Sequence, residues 1–211
     1  MMASLYLILI FIIAYLLGSF PSAYLVTKKF AGKDVREGGT GNVGAMNVSR
    51  VTGKGNLFWL TVALDAGKGA LAVLIPQWLF FLGYDLSLAI TLAAFGAVLG
   101  HCYSIYFKIK EGKFSGGKAQ ASLIGILAVL NLKFLLLPWG ATVILSILAS
   151  GYLFLGQFIG TIFLPIIAYF LVPEYFWACL LMAFPIFIKQ WPRFIPMIKG
   201  QEPKWYWKKR T

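Results

Sequence analysis

Residues 86–106 read LSLAITLAAFGAVLGHCYSIY, 21 positions without an Asp, Glu, Lys or Arg. A helix needs roughly 20 mostly apolar residues to cross the hydrocarbon core of a bilayer, so this stretch predicts a membrane span. Outward from it, similar runs recur between charges and Gly/Pro breaks. They predict further helices near 3–26, 57–82, 119–136, 139–156, 158–172 and 175–191, seven in all with the first. Composition agrees: 60% of the 211 residues are apolar and 12% charged, where a soluble domain carries about a quarter charged residues. An ordinary soluble enzyme is excluded, and the aliphatic and aromatic content excludes disorder. The expected fold class is all-α, a polytopic membrane helix bundle of about seven transmembrane helices forming a single integral-membrane domain over residues 1–211. The run from Ala3 to Leu17 has no Lys or Arg before it and no small-residue cleavage site after it. A signal peptide needs both, so this run is read as a retained first span.

The charges carry the orientation. Formal net charge is +12, and 17 of the 19 Lys and Arg residues fall in three segments: 27–56, 107–118 and the tail from Lys189. An odd number of spans puts all three on one side. The opposite turns hold only Asp85, Lys133 and Glu174. Positive-inside bias then makes the loaded side cytoplasmic and places the N-terminus outside. Trp205, Tyr206 and Trp207, next to Lys208, Lys209 and Arg210, read as an interfacial anchor to anionic membrane lipid. The basic excess does not indicate nucleic acid, because the apolar runs around it are too long. Cys102 and Cys179 lie in apolar stretches and read as small buried hydrophobes.

Chemistry is expected in the long cytoplasmic segments. The stretch from Gly38 to Arg50 reads GGTGNVGAMNVSR, with four glycines in its first seven residues. Such a loop permits positive φ, and its successive backbone N–H groups can form an anion nest. Thr40, Asn42 and Asn47 add neutral hydrogen-bonding groups, and Arg36 and Arg50 add forks suited to phosphate. The pattern is not GxxxxGK[ST], so a nucleotide P-loop is not indicated. A second glycine pair, Gly116-Gly117, precedes Lys118 where a new helix begins, and helix N-termini attract anions. Two such loops on one membrane face suggest two phosphates, or one held twice. A flexible turn and a positively charged helix cap are the bland readings of the same residues.

Asp65 and Lys68 are three apart on a predicted helix and share a face. Intramembrane charges pair or line polar cavities, so the two form either a structural pair or a substrate contact. His101 is the only histidine; it is a proton carrier or a hydrogen-bonded bundle residue. One histidine without a Cys or carboxylate cluster makes no metal site. No Gly-x-Ser-x-Gly elbow or nucleophile–base pair is visible, so no covalent enzyme intermediate is expected.

These residues resemble the bacterial membrane acyl-phosphate:glycerol-3-phosphate acyltransferases, the PlsY family, over nearly the whole chain. The resemblance rests on Leu16-Leu17-Gly18-Ser19-Phe20-Pro21 with Asp34-Val35-Arg36, on Gly39–Asn47 with Arg50, on Asp65-Ala66-Gly67-Lys68-Gly69, on Gly100-His101 and on Gly116-Gly117-Lys118. It implies transfer of the acyl group of a fatty acyl phosphate to the 1-hydroxyl of glycerol 3-phosphate, giving lysophosphatidate. The donor is already activated, so no cofactor is implied, and no obligate protein partner is inferred. The location implied is the bacterial cell (inner) membrane, with the active site facing the cytoplasm. Thr40, Arg50, Lys118 and His101 are expected as catalytic residues. Ser19, Arg36, Gly39, Gly41, Asn42, Gly44, Asn47, Asp65, Lys68, Gly116, Gly117, Gln190 and Arg193 are expected to bind substrate.

The chain also departs from the family pattern. Met46 stands where the family usually has Thr, and Ala119-Gln120 stands for its Gly-Val. Extra residues occur around Glu111–Ser115. Gln190 and Arg193 occupy the positions of a usual His and Asn, although Gly200-Gln201-Glu202 is kept; Tyr152-Leu153-Phe154-Leu155 lacks a usual serine. These departures bear on the acceptor more than on the phosphate donor. Two other classes remain as alternatives: a divergent lipid-phosphate-binding or regulatory membrane protein, and a small-anion transporter. The second lacks recognisable inverted halves.

Overall fold

The computed structural model describes residues 2–201 and Lys204; the aromatic-basic tail at 205–210 and Glu202 lie outside the described residues. The fold is all-helical, with no β-strand among the described residues. Its helices are α1 (Met2–Ser19), α2 (Ser22–Ala31), α3 (Ala45–Thr52), α4 (Gly55–Trp78), α5 (Leu86–Cys102), α6 (Ile105–Glu111), α7 (Gln120–Asn131), α8 (Leu137–Ser150), α9 (Leu153–Leu171), α10 (Phe176–Gln190) and α11 (Phe194–Ile198). Among the described residues, four helical stretches are long and apolar enough to cross a bilayer: Met2–Ala31, Gly55–Trp78, Gln120–Ser150 and Leu153–Leu171. Large side chains along them face outward, among them Trp59, Leu148 and Phe170. An apolar exterior of this extent belongs in lipid.

Several boundaries differ from the expected spans for local reasons. The first expected helix breaks at Phe20–Pro21, where proline offers no N–H to the Leu17 carbonyl and Phe20 donates to it instead at 3.1 Å. The expected helix over 139–156 ends earlier, because Gly151 adopts a left-handed cap (φ 77°) and Tyr152 is extended. That frees Leu153–Leu171 to form one helix of 19 residues, longer than its sequence expectation, with Gln157 inside it. Within Gln120–Ser150, Asn131 leaves helical geometry (φ −163°, ψ 101°), and its side chain accepts from Phe134 N at 2.9 Å. A π-helical turn, Leu132–Leu136, follows it.

The chain divides into two compact units, Met1–Leu130 and Asn131–Thr211. In the first, glycines let helices approach backbone to backbone, the usual means of packing helices in lipid. A Cβ on Gly18 or Gly100 would overlap the carbonyl oxygens of Ala97 or Tyr15, so these glycines set the α1–α5 contact. Gly69 and Gly125 do the same between α4 and α7, against the carbonyls of Ser122 and Ala66. Beside this bundle, Ala23, Tyr24, Val26, Val35, Val43, Val48, Leu57 and Phe107 form a core that seats α2, α3 and α6. In the second unit α8, α9 and α10 pack together. Rings of Phe154, Phe158, Phe187, Trp191 and Phe194 pack there in tilted and edge-on pairs, with centroids 4.3–6.1 Å apart.

Candidate active site

The break between α1 and α2 leaves carbonyls without helical donors, and two side chains from elsewhere in the first unit supply them. Ser104 Oγ donates to the Ser19 carbonyl at 2.6 Å, and Lys68 Nζ donates to the Phe20 carbonyl at 2.8 Å. Ser19 Oγ accepts from Ile105 N at 3.3 Å. Lys68 also pairs with Asp65 at 2.9 Å, and both are buried. Asp65 lies 3.7 Å from His101 Nδ1, which is 3.1 Å from Ser122 Oγ in the first turn of α7. Asp65 and Lys68 are thus paired with each other, and the pair also faces a small cavity with His101, Ser22, Gly116 and Gly117. Ser22 Oγ is buried in that wall with no hydrogen-bond partner among the described residues.

The first glycine loop is organised from within. Asp34 caps the 3-10 turn Val35–Glu37 by accepting from Arg36 N at 3.0 Å. Gly39 (φ 60°) and Gly41 (φ 68°) hold left-handed conformations that residues with a Cβ resist. Asn47, on α3 and 1% exposed, is the hub. Its Oδ1 accepts from Thr40 N at 2.8 Å and Thr40 Oγ1 at 3.3 Å, while Nδ2 donates to the carbonyls of Val35 (2.6 Å) and Gly38 (3.1 Å). Asn47 is thus engaged by the loop itself. Thr40 and Arg50 remain exposed at its surface, with Arg50 Cβ packed over Gly39.

Arg36 is also committed. Its Nε and Nη2 bond both oxygens of Asp34, its Nη1 bonds Glu111, and its guanidinium lies over the Phe107 ring, 4.6 Å from the centroid. The hydrogen bonds from Arg36 hold the Asp34 carboxyl below the usual carboxylate range, and the two carboxylates push the Arg36 guanidinium up. The Asp34 contribution to stability is therefore complete above about pH 4. It is lost only as pH falls through the lowered value.

The second loop is held by close packing. Gly117 N donates to the His101 carbonyl at 3.0 Å, and Ser104 N to the Ser115 carbonyl at 2.9 Å. A Cβ on Gly117 would overlap His101 Nε2 and lie 2.6 Å from the Val43 carbonyl oxygen. The two glycine loops therefore meet, Val43 of the first against Gly117 of the second. Lys118 is half-buried beside this contact, and Ala119 (φ 53°) turns the chain into α7, as the helix start expected there requires.

The structure thus gathers most of the expected residues in the first unit: Gly39, Thr40, Gly41, Asn42, Gly44, Asn47 and Arg50 on one loop and helix, and His101, Gly116, Gly117 and Lys118 around the other. Gln190 and Arg193 belong to the second unit. Gln190 ends α10 fully buried, its side-chain nitrogen and oxygen without partners among the described residues. Sequence reading missed Ser22, Ser104 and Ser122, single serines with no spacing to mark them. It noted extra residues at Glu111 but not the partner of that carboxylate. Among the described residues no cluster of three or more His, Cys, Asp or Glu side chains is arranged to hold a metal ion.

Fold and site together define an all-helical integral membrane protein with a polar, glycine-lined site built between its helix ends. Residues 8–200 match the profile of the family described as glycerol-3-phosphate acyltransferase. A glycerol-3-phosphate acyltransferase of Jannaschia sp. (strain CCS1) is 36% identical over 197 residues, 92% of this chain and 90% of that one. One from Syntrophotalea carbinolica is 39% identical over 171 residues, 80% of each. A crystal structure of PlsY (YgiH), an integral membrane glycerol 3-phosphate acyltransferase in its glycerol 3-phosphate form, superposes with a TM-score of 0.82 at 25% identity. The match covers 95% of this chain and 96% of PlsY. The chain belongs to the glycerol-3-phosphate acyltransferase family.

Proposed function

We propose that this protein moves the acyl group of a fatty acyl phosphate to the 1-hydroxyl of glycerol 3-phosphate, releasing lysophosphatidate and inorganic phosphate. The observation that carries the reading is the meeting of the two glycine loops at Val43 and Gly117. That contact supports the reading because it brings the two glycine loops together, with Arg50 near one and Lys118 on the other. Two anionic reactants repel, so bringing them together requires cations and backbone N–H groups aimed at both. The hydroxyl oxygen attacks the acyl carbon, the carbon–oxygen bond to phosphate breaks, and the departing phosphate takes the hydroxyl proton. Atoms balance without an enzyme nucleophile or a cofactor. Thr40, Arg50 and Lys118 hold phosphate and the developing oxyanion. His101, buried between Asp65 and Gly117, orients the second loop. In the same reading seven spans place both loops at the cytoplasmic face of the bacterial inner membrane, with the N-terminus outside.

The test uses purified protein in lipid with palmitoyl phosphate and labelled glycerol 3-phosphate. Lysophosphatidate and phosphate are expected in equal amounts, and Arg50→Ala and Lys118→Ala each lower turnover about 10²–10³-fold, as for loss of one oxyanion donor. Phosphate release independent of glycerol 3-phosphate would assign another acceptor, the outcome to which Gln190 and Arg193 point. Passage of substrate into sealed vesicles without product would assign transport.

A further inference from the structure

The acyl-transfer reading leaves Glu111 without a role, yet its carboxylate bridges two distant parts of the first unit. Glu111 is the last residue of α6, in the stretch of extra residues before the second glycine loop. That stretch is looped out from a fixed base. Ser104 and Ser115 form an isolated antiparallel bridge, and Gly112 (φ 74°) turns the chain at the far end. At this tip Glu111 receives a hydrogen bond from Arg36 Nη1, 75 positions away in sequence. The other Arg36 nitrogens grip Asp34, at the start of the segment that carries the first glycine loop. Each partner is only partly exposed, 19% for the Arg36 side chain and 24% for Glu111. Arg36 and Glu111 both line an open recess of ≈ 340 Å³, together with Gly41 of the first loop and Lys113 and Ser115 before the second.

We propose that Glu111 is a positioning residue for the polar acceptor: through Arg36 it sets the separation of the walls of this recess, and hence the path to the glycine loops. It touches neither reactant. This role deepens the acyltransferase reading and rests on it for its kinetic part. A tether between walls acts on entry and seating of the acceptor, so it moves KM for glycerol 3-phosphate and leaves the chemical step alone.

The test is a glycerol 3-phosphate titration at saturating palmitoyl phosphate, in lipid, paired with tryptic cleavage after Lys110 and Lys113. Glu111→Gln is expected to raise KM about five- to tenfold, the effect of one charge-assisted hydrogen bond at partial exposure. Its kcat stays within about twofold, cleavage is several-fold faster, and Glu111→Asp, which keeps the charge, recovers part of both losses. An unchanged KM would overturn the positioning role. Loss of kcat in step with a lowered melting temperature would do so too, by making the Ser104–Ser115 segment a structural prop. Cleavage no faster in Glu111→Gln would remove the tether itself. A wild-type protein without turnover on glycerol 3-phosphate would instead sink the acyltransferase reading and the kinetic role with it, while cleavage still decides the tether.

Discussion

The two glycine loops touch at Val43 and Gly117, yet they are held by opposite means. In the first, glycine supplies conformation: Gly39 and Gly41 sit at positive φ, and one amide, Asn47, ties the loop through four hydrogen bonds. In the second, glycine supplies absence of bulk: Gly116 and Gly117 lie against the backbone and ring of His101, and Ala119 takes the left-handed turn. Hydrogen bonding leaves Thr40 and Arg50 exposed at the surface. Close packing instead fixes Gly116 and Gly117, next to Lys118, against His101. One loop is pinned by hydrogen bonds and the other by close packing, a division suited to the proposed site for two phosphates.

The largest effect is expected at the point of contact. Gly117→Ala adds a Cβ that meets the Val43 carbonyl and the His101 ring, and a backbone oxygen cannot turn aside. Forced separation of the loops should cost about 3 kcal/mol or more, and turnover should fall about 100-fold, as for a misplacement near 1 Å. Gly41→Ala is the control. Its Cβ would find only the Arg36 carbonyl at 3.4 Å, so its cost is that of positive φ, about 1–2 kcal/mol. Thermal unfolding and acyl transfer in lipid measure both. Equal losses at the two positions would erase the distinction between conformation and bulk.

Next comes the hub of the first loop. Asn47→Ala strips partners from Thr40 N and from the Val35 and Gly38 carbonyls. About 2 kcal/mol is expected for buried groups left unpaired. Asn47→Asp keeps the acceptor for Thr40 but sets a buried carboxylate oxygen against the two carbonyls, so its unfolding temperature should fall at least as far as that of Asn47→Ala. A stable Asn47→Ala protein without activity would move Asn47 from loop hub to phosphate ligand.

The parts legible in the sequence share one property: their signal is local. Apolar runs announce spans because burial in lipid acts on consecutive residues, and the glycine clusters announce loops because φ is a property of each residue. What stayed hidden depends on partners far along the chain. Lys68 reads as an intramembrane charge, but its carbonyl partner at Phe20 is 48 positions away. The same distant donors, Lys68 and Ser104, stabilise the break at Pro21, through which an apolar run seemed to continue as one helix. Arg36 reads as a phosphate fork, and its bond to Glu111 cannot be read from the sequence; Asn47 reads as a hydrogen-bonding group, and its place inside the loop cannot either. Residue type marks the candidate residues; the fold supplies their partners.

The smallest effect is expected at Ala119, and it sharpens the account of the second loop. Ala119 is 1% exposed and has φ 53°, a left-handed conformation disfavoured for L-residues by about 1–2 kcal/mol. Ala119→Gly relieves that strain. It also removes a buried methyl, worth about 0.8 kcal/mol, and loosens the unfolded chain, worth roughly 0.4–1 kcal/mol. These opposing contributions nearly cancel, so stability should change by less than about 1 kcal/mol, and turnover should hold because Lys118 keeps its direction. Ala119→Val removes the cancellation: a β-branched side chain at this φ is a true outlier, and both stability and turnover should fall. A loss of about 2 kcal/mol or more in Ala119→Gly would show that the methyl group, rather than the turn, holds the wall. Packing would then govern every residue of the second loop, and the contrast with the hydrogen-bonded first loop would become complete.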